Sequence, residues 1–508
     1  MFATVHSAIV VGVEGTGITV EVDITSGIPQ ISVVGLPDSA VRESVERVRS
    51  AIRNSGFRFP LERITINLAP AALRKQGSGL DLAIATGLLQ ASAQLQHDFE
   101  HTLLVGELAL DGHVRPINGM LALLQYAKQA GCSKVIIPQD NAAEAGLISD
   151  LHIYPIAHLN QLQQLNFQAS AQFRSLSAPA PADKEELDLA DIVGQQEAKR
   201  ALLIAAAGRH NIIVCGPPGV GKTMLMRRLP TLLPQLAEAE ALEVMKIYSV
   251  AGKLQAASSQ LQKNPPFRAP HHSISYAGLI GGGGIPQPGE ITLAHHGVLF
   301  LDELPEFSRQ VLELLRQPLE ERTVTISRAR NHITFPASFM LAASYNPCPC
   351  GYYGFETEHN SCGCSQLMIQ RYRSKLSGPL LDRIDIQLDM ARPLTLAGEP
   401  NDMQYGTEKL KAKVLQAISV QQERYREQRY RYNSELPASA LSRYAAIPKE
   451  AAQLLEHAFT KLGLSMRGYE RIIKIARTIA DLELSEHIQL EHVAEAVQYR
   501  KLDMAFAP

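Results

Sequence analysis

Residues 212–228 read IIVCGPPGVGKTMLMRR, an apolar run followed by a glycine-rich turn, a lysine and a threonine. The turn, residues 216–223, fits the pattern G-x-x-x-x-G-K-[ST] and lies between an apolar strand and a helix, the context that this pattern requires. Backbone N–H groups of such a loop surround phosphate oxygens. We therefore predict a nucleotide site (P-loop) formed by Gly216, Pro217, Pro218, Gly219, Val220, Gly221, Lys222, Thr223 and Met224.

Charged residues near the P-loop predict hydrolysis rather than binding alone. Lys222 is expected to neutralise the β- and γ-phosphates, and Thr223 to hold Mg²⁺. Downstream, GVLFLDELPEF predicts a buried strand that ends at Asp302 and Glu303, at the sheet edge where open α/β sheets bind ligands. We expect Asp302 to support Mg²⁺ and Glu303 to act as the base that polarises the attacking water.

Two further segments offer polar side chains for this site. FMLAASYNP predicts another apolar strand, and Asn346 at its end is suited to orienting water, although an asparagine before proline is also a common turn former. LLDRIDIQL contains Arg383, which we expect to be exposed and able to reach a neighbouring subunit's ATP. The alternative for Arg383 is a local surface pair with Asp382 or Asp385.

The chain divides into four parts by pattern. Residues 1–168 alternate strand-like and helix-like runs, and residues 169–186, rich in Ala, Pro and Ser and then acidic, predict a linker. Residues 187–392 predict an α/β core with a parallel sheet, and residues 393–508 predict a helical lid. The predicted fold class is therefore α/β, with a P-loop core between a mixed α/β domain and helices.

Composition excludes several classes of protein. The 508 residues carry a formal net charge of −2, so a nucleic-acid site must be a local patch rather than a basic surface. No apolar run reaches the length of about 18 residues that a membrane span requires. The N-terminus lacks the basic segment of a signal peptide. We expect a cytoplasmic protein without a membrane partner.

Several long strings resemble one family. In order along the chain they are DIVGQQEAKRAL, the P-loop, FRAPHHSISYAGLIGGG, PGEITLAHHGVLFLDELPEF, NPCPCG and LSGPLLDRIDI. Together they resemble the magnesium-chelatase-type AAA+ ATPases, in particular the ComM/YifB branch, over essentially the whole chain. The resemblance implies that Asn346 is sensor 1, Arg383 the arginine finger and Arg467 the sensor 2 residue. It also implies that Ile192 and Val193 flank the adenine and that the chain forms a hexameric ring.

The front segment resembles the proteolytic domain of Lon-type proteases, chiefly in GELALDGHVRPINGMLALLQYAKQAGCSKVIIPQDN. In that family a serine and a lysine form the catalytic dyad. Here Gly79 stands where the nucleophile belongs, Ser78 is one position early, and Leu121 replaces the lysine. Without a base to activate a hydroxyl, we predict an assembly or substrate-docking domain and no peptidase.

A cysteine cluster follows Asn346. CPCGYYGFETEHNSCGC contains two C-x-C pairs separated by a loop, formed by Cys348, Cys350, Cys362 and Cys364. Four thiolates suit a structural Zn²⁺ site, although the one-residue spacing is tighter than usual. Free thiols or redox pairs are the alternative. Four thiolate ligands leave no open position, so a catalytic metal is not expected.

Three segments are candidate contacts for the motor's substrate. RTVTISRARNHITFPAS predicts a β-hairpin with Arg328 and Arg330 at its turn, suited to phosphate contacts that do not read sequence. The glycine-rich segment 275–289 is expected to be mobile. ERYREQRYRYN, residues 423–433, suits single-stranded nucleic acid. The alternatives are a solvated hairpin, a flexible loop, and an exposed helix face or subunit interface.

These features favour an ATP-driven hexameric ring that moves on DNA. The ComM-type resemblance implies a helicase for branch migration during natural transformation, with single-stranded or branched DNA and recombination proteins as partners. One alternative is a chelatase-like motor that remodels a protein partner, although the Lon-like domain is foreign to chelatase subunits. Another is a nucleotide-switched scaffold, which Glu303 and Arg383 disfavour.

Overall fold

A computed structural model of the chain describes residues 1–167, 187–254, 260–284, 286–328, 331–357, 359–392 and 406–500. The predicted linker, 169–186, lies outside these residues. The mixed α/β fold class with a parallel core sheet is confirmed. In the described part, no helix has the length and apolar character needed to cross a membrane.

The front part is built on a seven-stranded mixed sheet in the order β3-β4-β2-β1-β5-β8-β9. Alternate residues of β2 are buried, as expected for a strand with one face on the core. The strands are β1 (Phe2–Val11), β2 (Glu14–Thr25), β3 (Gln30–Val34), β4 (Arg63–Ala69), β5 (Thr102–Leu104), β6 (Glu107–Leu108), β7 (Val114–Arg115), β8 (Lys134–Pro138) and β9 (His152–Ile156). The helices are α1 (Ser39–Asn54), α2 (Asp81–Ala91), α3 (Met120–Gln129) and α4 (Ala142–Ala145).

The first helix shows how local sequence sets a boundary. The Asp38 side chain accepts a hydrogen bond from the backbone N–H of Val41 at 2.8 Å, which satisfies a donor at the helix start. The helix ends at Asn54, two residues before Gly56, whose φ is +84°. A left-handed residue beyond the last turn is typical of a helix end.

The core is a five-stranded parallel sheet in the order β11-β14-β17-β10-β18. Every residue of β10, β14 and β17 is buried, because helices cover both faces of the sheet. The strands here, with those of two small hairpins, are β10 (Ile212–Cys215), β11 (Phe267–Arg268), β12 (Gly281–Gly282), β13 (Gln287–Pro288), β14 (Val298–Leu301), β15 (Thr323–Arg328), β16 (Asn331–Pro336), β17 (Met340–Tyr345) and β18 (Ile386–Asp389). The helices are α5 (Gln196–Gly208), α6 (Lys222–Arg227), α7 (Leu229–Leu232), α8 (Glu238–Val250), α9 (Tyr276–Ile280), α10 (Glu290–Leu293), α11 (Arg309–Leu314), α12 (Arg316–Glu321), α13 (Gln366–Arg373) and α14 (Gly378–Leu381).

The C-terminal part is helical, as predicted. Its helices are α15 (Thr407–Arg424), α16 (Ala438–Tyr444), α17 (Lys449–Leu462), α18 (Met466–Leu482) and α19 (Leu490–Gln498). Apolar residues of α15 and α18 share one core cluster with α5, so these helices pack directly on the P-loop core. A buried carboxylate, Asp481, accepts hydrogen bonds from Arg424 and Arg477. This ion cluster links α15 to α18.

Helix α8 joins the front part to the core. Lys246 Nζ donates to Glu14 at 2.6 Å, and Ser249 Oγ donates to Glu144. The backbone N–H of Gly119, in the turn before α3, donates to the Ser249 carbonyl at 3.1 Å. The turn that corresponds to the lysine-bearing turn of Lon-type proteases therefore lies against the P-loop core.

The glycine-rich segment, predicted to be mobile, is only partly loop-like. It contains helix α9, capped by Ser275, whose hydroxyl accepts from the N–H of Gly278 at 3.1 Å. The strands β12 and β13 then pair with each other. These residues form regular structure rather than loop, and Leu279 and Ile280 pack in an apolar cluster; the mobility of the segment stays a prediction. Residue 285 lies outside the described ranges.

Candidate nucleotide and metal sites

Three neighbouring strands bring the predicted nucleotide-site residues together. Asp302 follows β14, Asn346 follows β17 and the P-loop follows β10, and these strands are adjacent in the sheet. Parallel strands present their carboxyl ends at one edge. Lys222 Nζ donates to Asn346 Oδ1 at 3.0 Å, and Thr223 Oγ1 donates to Asp302 Oδ2 at 2.7 Å.

The P-loop has a backbone that requires its glycines. Gly219 and Gly221 have φ values of +80° and +92°, in the left-handed region that favours glycine. A Cβ at Gly216 would lie 2.4 Å from the carbonyl oxygen of Met390. A side chain at any of the three positions would distort the loop, so the pattern fits a phosphate cradle.

Lys222 is turned toward its own loop. Its Nζ donates to the carbonyl oxygens of Gly216 and Pro217, at 2.6 and 2.9 Å. Burial lowers the pKa of Lys222. Carbonyl oxygens are weaker partners for an ammonium than charged oxygens are, so a phosphate entering the loop offers Lys222 a better acceptor.

Asp302 is fixed by donors on three sides. Besides Thr223, it accepts from the hydroxyl of Ser344 and from the backbone N–H of Glu303, the latter at 3.0 Å. The sequence analysis did not single out Ser344. Alternate residues of a strand share a face, so the position of Ser344, two residues before Asn346, was the available signal.

Glu303 has an unusual backbone conformation beside a histidine. Its φ is +52°, and strained residues of this kind cluster at functional sites. A carboxylate oxygen of Glu303 lies 3.6 Å from Nδ1 of His272, and about half of the Glu303 side chain is exposed. His272 was also missed as an individual residue, although it lies in a family string.

The residues expected beside the adenine differ in exposure. Ile192 is buried in the cluster that contains Val220 of the P-loop. Val193 and Met224 are 44% and 49% exposed, which is high for apolar side chains. Ile192 is therefore part of the wall behind the P-loop, and Val193 and Met224 are apolar surfaces that a nucleotide base can cover.

The expectation that Arg383 is exposed was wrong. Its side chain is only 10% exposed, and Nη2 pairs with Glu320 on α12 at 2.7 Å. The predicted local partners are also wrong, since Asp385 pairs with Arg471 and His210, which leaves Arg383 to a more distant acid. Arg467 lies 3.5 Å from the same Glu320 oxygen. The two arginines thus share one carboxylate.

The predicted hairpin is present, and β15 pairs with β16 in antiparallel register. Its turn is not described, so Arg330 and the side chain of Arg328 lie outside the described residues. Near the turn end of β16, Ile333, which pairs with Ile326, packs on the front part: a Cβ at Gly12 would lie 2.9 Å from its Cγ2.

The basic and aromatic segment 423–433 presents its tyrosines to the protein and most of its charged side chains to solvent. Tyr425 is buried, Arg424 pairs with Asp481, and Arg431 donates to Glu240 at 2.7 Å. Arg426 and Arg429 are exposed. Because the ring of Tyr425 is in contact with Tyr430 and Tyr444, and not with solvent, the segment lacks the open stacking surface expected for single-stranded nucleic acid.

The four cysteines converge. Their Sγ atoms all lie within 4.8 Å of one another. The Sγ of Cys348 is 3.3 Å from that of Cys350 and 3.8 Å from that of Cys362, and Cys350 and Cys362 are 3.6 Å apart. Four sulfurs at about 2.3 Å from a tetrahedral Zn²⁺ are about 3.8 Å apart. The donor set therefore fits zinc.

A second cluster joins Glu243 on α8 to His295 and His296. The carboxylate lies 3.3 Å from Nε2 of His295 and 3.2 Å from Nε2 of His296. Nδ1 of His295 accepts a hydrogen bond from the backbone N–H of Ser338 at 3.0 Å. The proton of a neutral His295 must then be on Nε2, so this cluster is a hydrogen-bonded group and not a ready metal site.

The front part lacks the serine and the lysine of the Lon-type dyad at the corresponding positions. Leu121 is buried in an apolar cluster, and its N–H donates to Glu144 at 3.1 Å. The hydroxyl of Ser78 donates to Glu107. Neither Gly79 nor Leu121 supplies a polar side chain.

Three family profiles match the chain. Residues 188–396 match "Magnesium chelatase, subunit ChlI", residues 20–141 match "Subunit ChlI of Mg-chelatase", and residues 404–500 match "Magnesium chelatase, subunit ChlI C-terminal". Among curated proteins, competence protein ComM of Haemophilus influenzae is 44% identical over 511 residues, covering 98% of this chain and 97% of that protein. Protein YifB of Escherichia coli is 43% identical, with coverage of 98% and 97%.

The front part has a separate likeness. Lon protease 2 of Bacillus subtilis is 35% identical over 164 residues, which cover 30% of this chain and 29% of that protease. The resemblance of the front part to Lon-type proteases is therefore confirmed, and it is confined to about a third of the chain.

Proposed function

This chain belongs to the ComM/YifB family of magnesium-chelatase-type AAA+ proteins, and from that premise we propose that it is an ATP-hydrolysing, hexameric DNA motor. Two contacts carry the proposal. Lys222 donates to Asn346 and Thr223 donates to Asp302, at the sheet edge where adjacent strands end. We propose the domain division 1–168, 169–186, 187–392 and 393–508, and a cytoplasmic location.

Each side chain of the candidate nucleotide site has a proposed role in ATP hydrolysis. Lys222 exchanges its loop carbonyls for phosphate oxygens, and Thr223 and Asp302 hold the magnesium that accompanies ATP. Bound magnesium supplies charge neutralisation on the phosphates. Glu303, half exposed beside His272, accepts the proton of the attacking water, while Asn346 orients that water. Ile192 and Val193 flank the adenine: Val193 and Met224 offer exposed apolar surface, and Ile192 forms the wall behind them.

DNA is the proposed substrate of the motor. The family includes a competence protein, and competence concerns the uptake and recombination of DNA; on that basis we propose branch migration during natural transformation. The hairpin β15–β16 is the proposed contact, with Arg328 and Arg330 at its tip meeting the phosphate backbone. Recombination proteins are the proposed partners.

The deciding experiment measures ATP hydrolysis by the full chain with and without single-stranded and branched DNA, at two salt concentrations. We expect DNA to stimulate hydrolysis at low salt and to lose this effect at higher salt, because phosphate contacts release counterions. Absence of both stimulation and binding at low salt would remove DNA from the proposal.

The second candidate function is remodelling of a protein partner, as in a chelatase. The match of all three family profiles to the chelatase subunit ChlI favours it. It predicts ATP hydrolysis that DNA leaves unchanged and that a protein partner raises. The Lon-like front part, which we propose to be a non-proteolytic docking domain, does not separate the two functions, because residues 20–141 themselves match a profile of that subunit.

We also propose a structural zinc at the four cysteines. The site is next to the nucleotide: a Cβ at Gly351 would lie 2.7 Å from Cδ of Pro218 in the P-loop. Zinc held by four thiolates would therefore stiffen a wall of the nucleotide site. Metal analysis should find one zinc per chain in the purified protein and in a Cys132→Ser control, and none in Cys362→Ser. A zinc-free wild-type protein prepared without chelator would contradict the site.

A further inference from the structure

Arg383 and Arg467 come from distant parts of the chain and meet at one side chain. Glu320 Oε1 lies 2.7 Å from Nη2 of Arg383 and 3.5 Å from Nη2 of Arg467. Glu320 is 41% exposed and Arg467 is 57% exposed, so the shared carboxylate is at the surface. One acid therefore balances two guanidinium groups that the sequence had assigned to the nucleotide.

The Arg383 side chain is held in a withdrawn and poorly satisfied position. Nη1 donates to the carbonyl oxygen of Pro379 at 2.6 Å, and Nη2 pairs with Glu320. Nε is buried without a hydrogen-bond partner among the described residues. An unpaired buried donor is costly, and a guanidinium is best satisfied by an anion with several oxygens in its plane. A terminal phosphate is such an anion.

The two arginines are also tied together through the backbone around them. Ser465, which caps α18 just before Arg467, donates its hydroxyl to Asp382 at 3.2 Å. Asp382 immediately precedes Arg383. The start of α18 and the segment that carries Arg383 are therefore linked, and a movement of one arginine toward a ligand is coupled to the other.

We propose that Glu320 is a positioning residue that holds Arg383 and Arg467 side by side and away from the nucleotide. The two arginines leave Glu320 when the terminal phosphate of a nucleotide on an adjacent copy of this chain replaces it as their anionic partner. This inference rests on the proposed ring. The exchange forms no covalent bond: the guanidinium groups leave one carboxylate and bind phosphate oxygens. Glu320 thereby sets how much nucleoside triphosphate the ring needs to assemble.

The expected size of the effect follows from the exposure of the pair. Surface ion pairs contribute about 0.2–1 kcal/mol, and about 1.4 kcal/mol corresponds to a tenfold change. Removing the charge of Glu320 should therefore lower the triphosphate concentration for half-maximal assembly by about 1.4- to fivefold. If Glu320 only stabilised α12, its loss would raise the triphosphate concentration for half-maximal assembly, because a less stable α12 would weaken the contacts between copies.

The test titrates the full-length protein with the magnesium complex of a non-hydrolysable ATP analogue and measures oligomer mass by sedimentation. The variants are Glu320→Gln, Glu320→Asp as the conservative rescue, and Glu321→Gln as the matched control. Glu321 is the next residue of the same helix, and its carboxylate accepts from Gln317 instead of an arginine. Thermal unfolding of each variant, without nucleotide, checks that it is folded.

We expect Glu320→Gln to shift the midpoint down, Glu320→Asp to restore it at least halfway, and Glu321→Gln to match wild type. In an Arg383→Ala, Arg467→Ala background, Glu320→Gln should no longer shift the midpoint. An unchanged or raised midpoint in Glu320→Gln, or a shift that persists without the arginines, overturns the role of Glu320 alone. A wild-type protein that stays monomeric overturns the ring and this role together.

Discussion

The two α/β parts of this chain differ in their polar site residues: the core has them, and the front part has lost the pair that its family uses. In the core, the P-loop, Asp302 and Asn346 follow adjacent strands, and Lys222 donates to Asn346 while Thr223 donates to Asp302. In the front part, the positions that correspond to a serine–lysine dyad are Gly79 and Leu121, and Leu121 is packed among apolar side chains. Both parts have a well-formed sheet and a buried core.

The difference separates what maintains a fold from what performs chemistry. The front sheet is held by apolar side chains on β1, β2 and β4, none of which is part of a catalytic pair. Burial of such side chains stabilises a domain whatever its polar residues do, so a protease fold can lose its dyad and remain folded. Clustering of the polar residues in the core adds little to the free energy of folding. A functional role therefore explains the cluster better than a stabilising one.

The largest effect expected is from Lys222→Ala. The lysine is the cation among the P-loop contacts, and loss of one well-placed charge costs about 3–4 kcal/mol, or about a hundredfold or more in rate. We expect nucleotide binding to be lost and hydrolysis with it, measured with a fluorescent ATP analogue and by phosphate release. Lys128→Ala, which removes an exposed lysine paired with Asp150 in the front part, is the control and should leave both unchanged.

Glu303→Gln should separate binding from turnover. The substitution keeps the shape of the side chain and removes its basicity, so we expect normal binding and a fall in hydrolysis of about a hundredfold. The matched control is Glu306→Gln, three residues on, where the carboxylate lies near Lys375. Equal turnover in Glu303→Gln and wild type would show that another group accepts the proton.

Buried carboxylates in the two parts should respond to pH in opposite directions. Burial raises the pKa of Asp81 in the front part from 3.8 to about 6, although Arg47 lies 3.0 Å away. In the core, burial also disfavours ionisation of Asp385, but Arg471 and His210 outweigh it and hold the pKa well below its usual value. Asp81 thus favours folding when protonated, and Asp385 when ionised.

Chemical unfolding of Asp81→Asn and Asp385→Asn between pH 3 and pH 7 checks these signs. The stability that wild type holds over Asp81→Asn should fall as pH rises from 3.8 through about 6, by about 3 kcal/mol in total. The advantage over Asp385→Asn should be about 3–5 kcal/mol at pH 7 and should diminish as pH falls below the usual carboxyl value. Parallel pH profiles for the two variants would contradict the contrast.

Local sequence patterns were enough to predict the three strands that position the candidate nucleotide site. The apolar runs before Gly216, Asp302 and Asn346 indicate three buried strands, and buried parallel strands place their carboxyl ends together. The P-loop, Asp302 and Asn346 therefore lie at one edge of the sheet, and the roles of Lys222 and Thr223 toward phosphate and magnesium stay predictions.

Contacts between distant residues were beyond such patterns. Arg383 pairs with Glu320, which is 63 positions earlier on α12, and no periodicity or spacing identifies that partner. Lys246 and Glu14, which join the core to the front part, are 232 positions apart. For the segment 423–433, an exposed helix face or subunit interface stays a prediction, because Tyr425 and Tyr432 are buried while Arg426 and Arg429 are exposed.

The smallest effect expected is from Gly79→Ser, which returns a hydroxyl to the dyad position of the front part. A Cβ at Gly79 would meet only Ile117 side-chain atoms, at 3.7 and 4.0 Å, so there is room for it. We expect a change in unfolding free energy within about 0.5 kcal/mol, as for surface substitutions, and no change in ATP hydrolysis. Peptide hydrolysis should also stay absent, because Leu121 supplies no base. Leu121→Lys would not repair this, since Leu121 is 1% exposed and an ammonium there would be buried among apolar side chains. Measurable hydrolysis of an unfolded protein substrate by Gly79→Ser would mean that a neighbouring group activates the serine, and the contrast between the two parts of the chain would be one of degree.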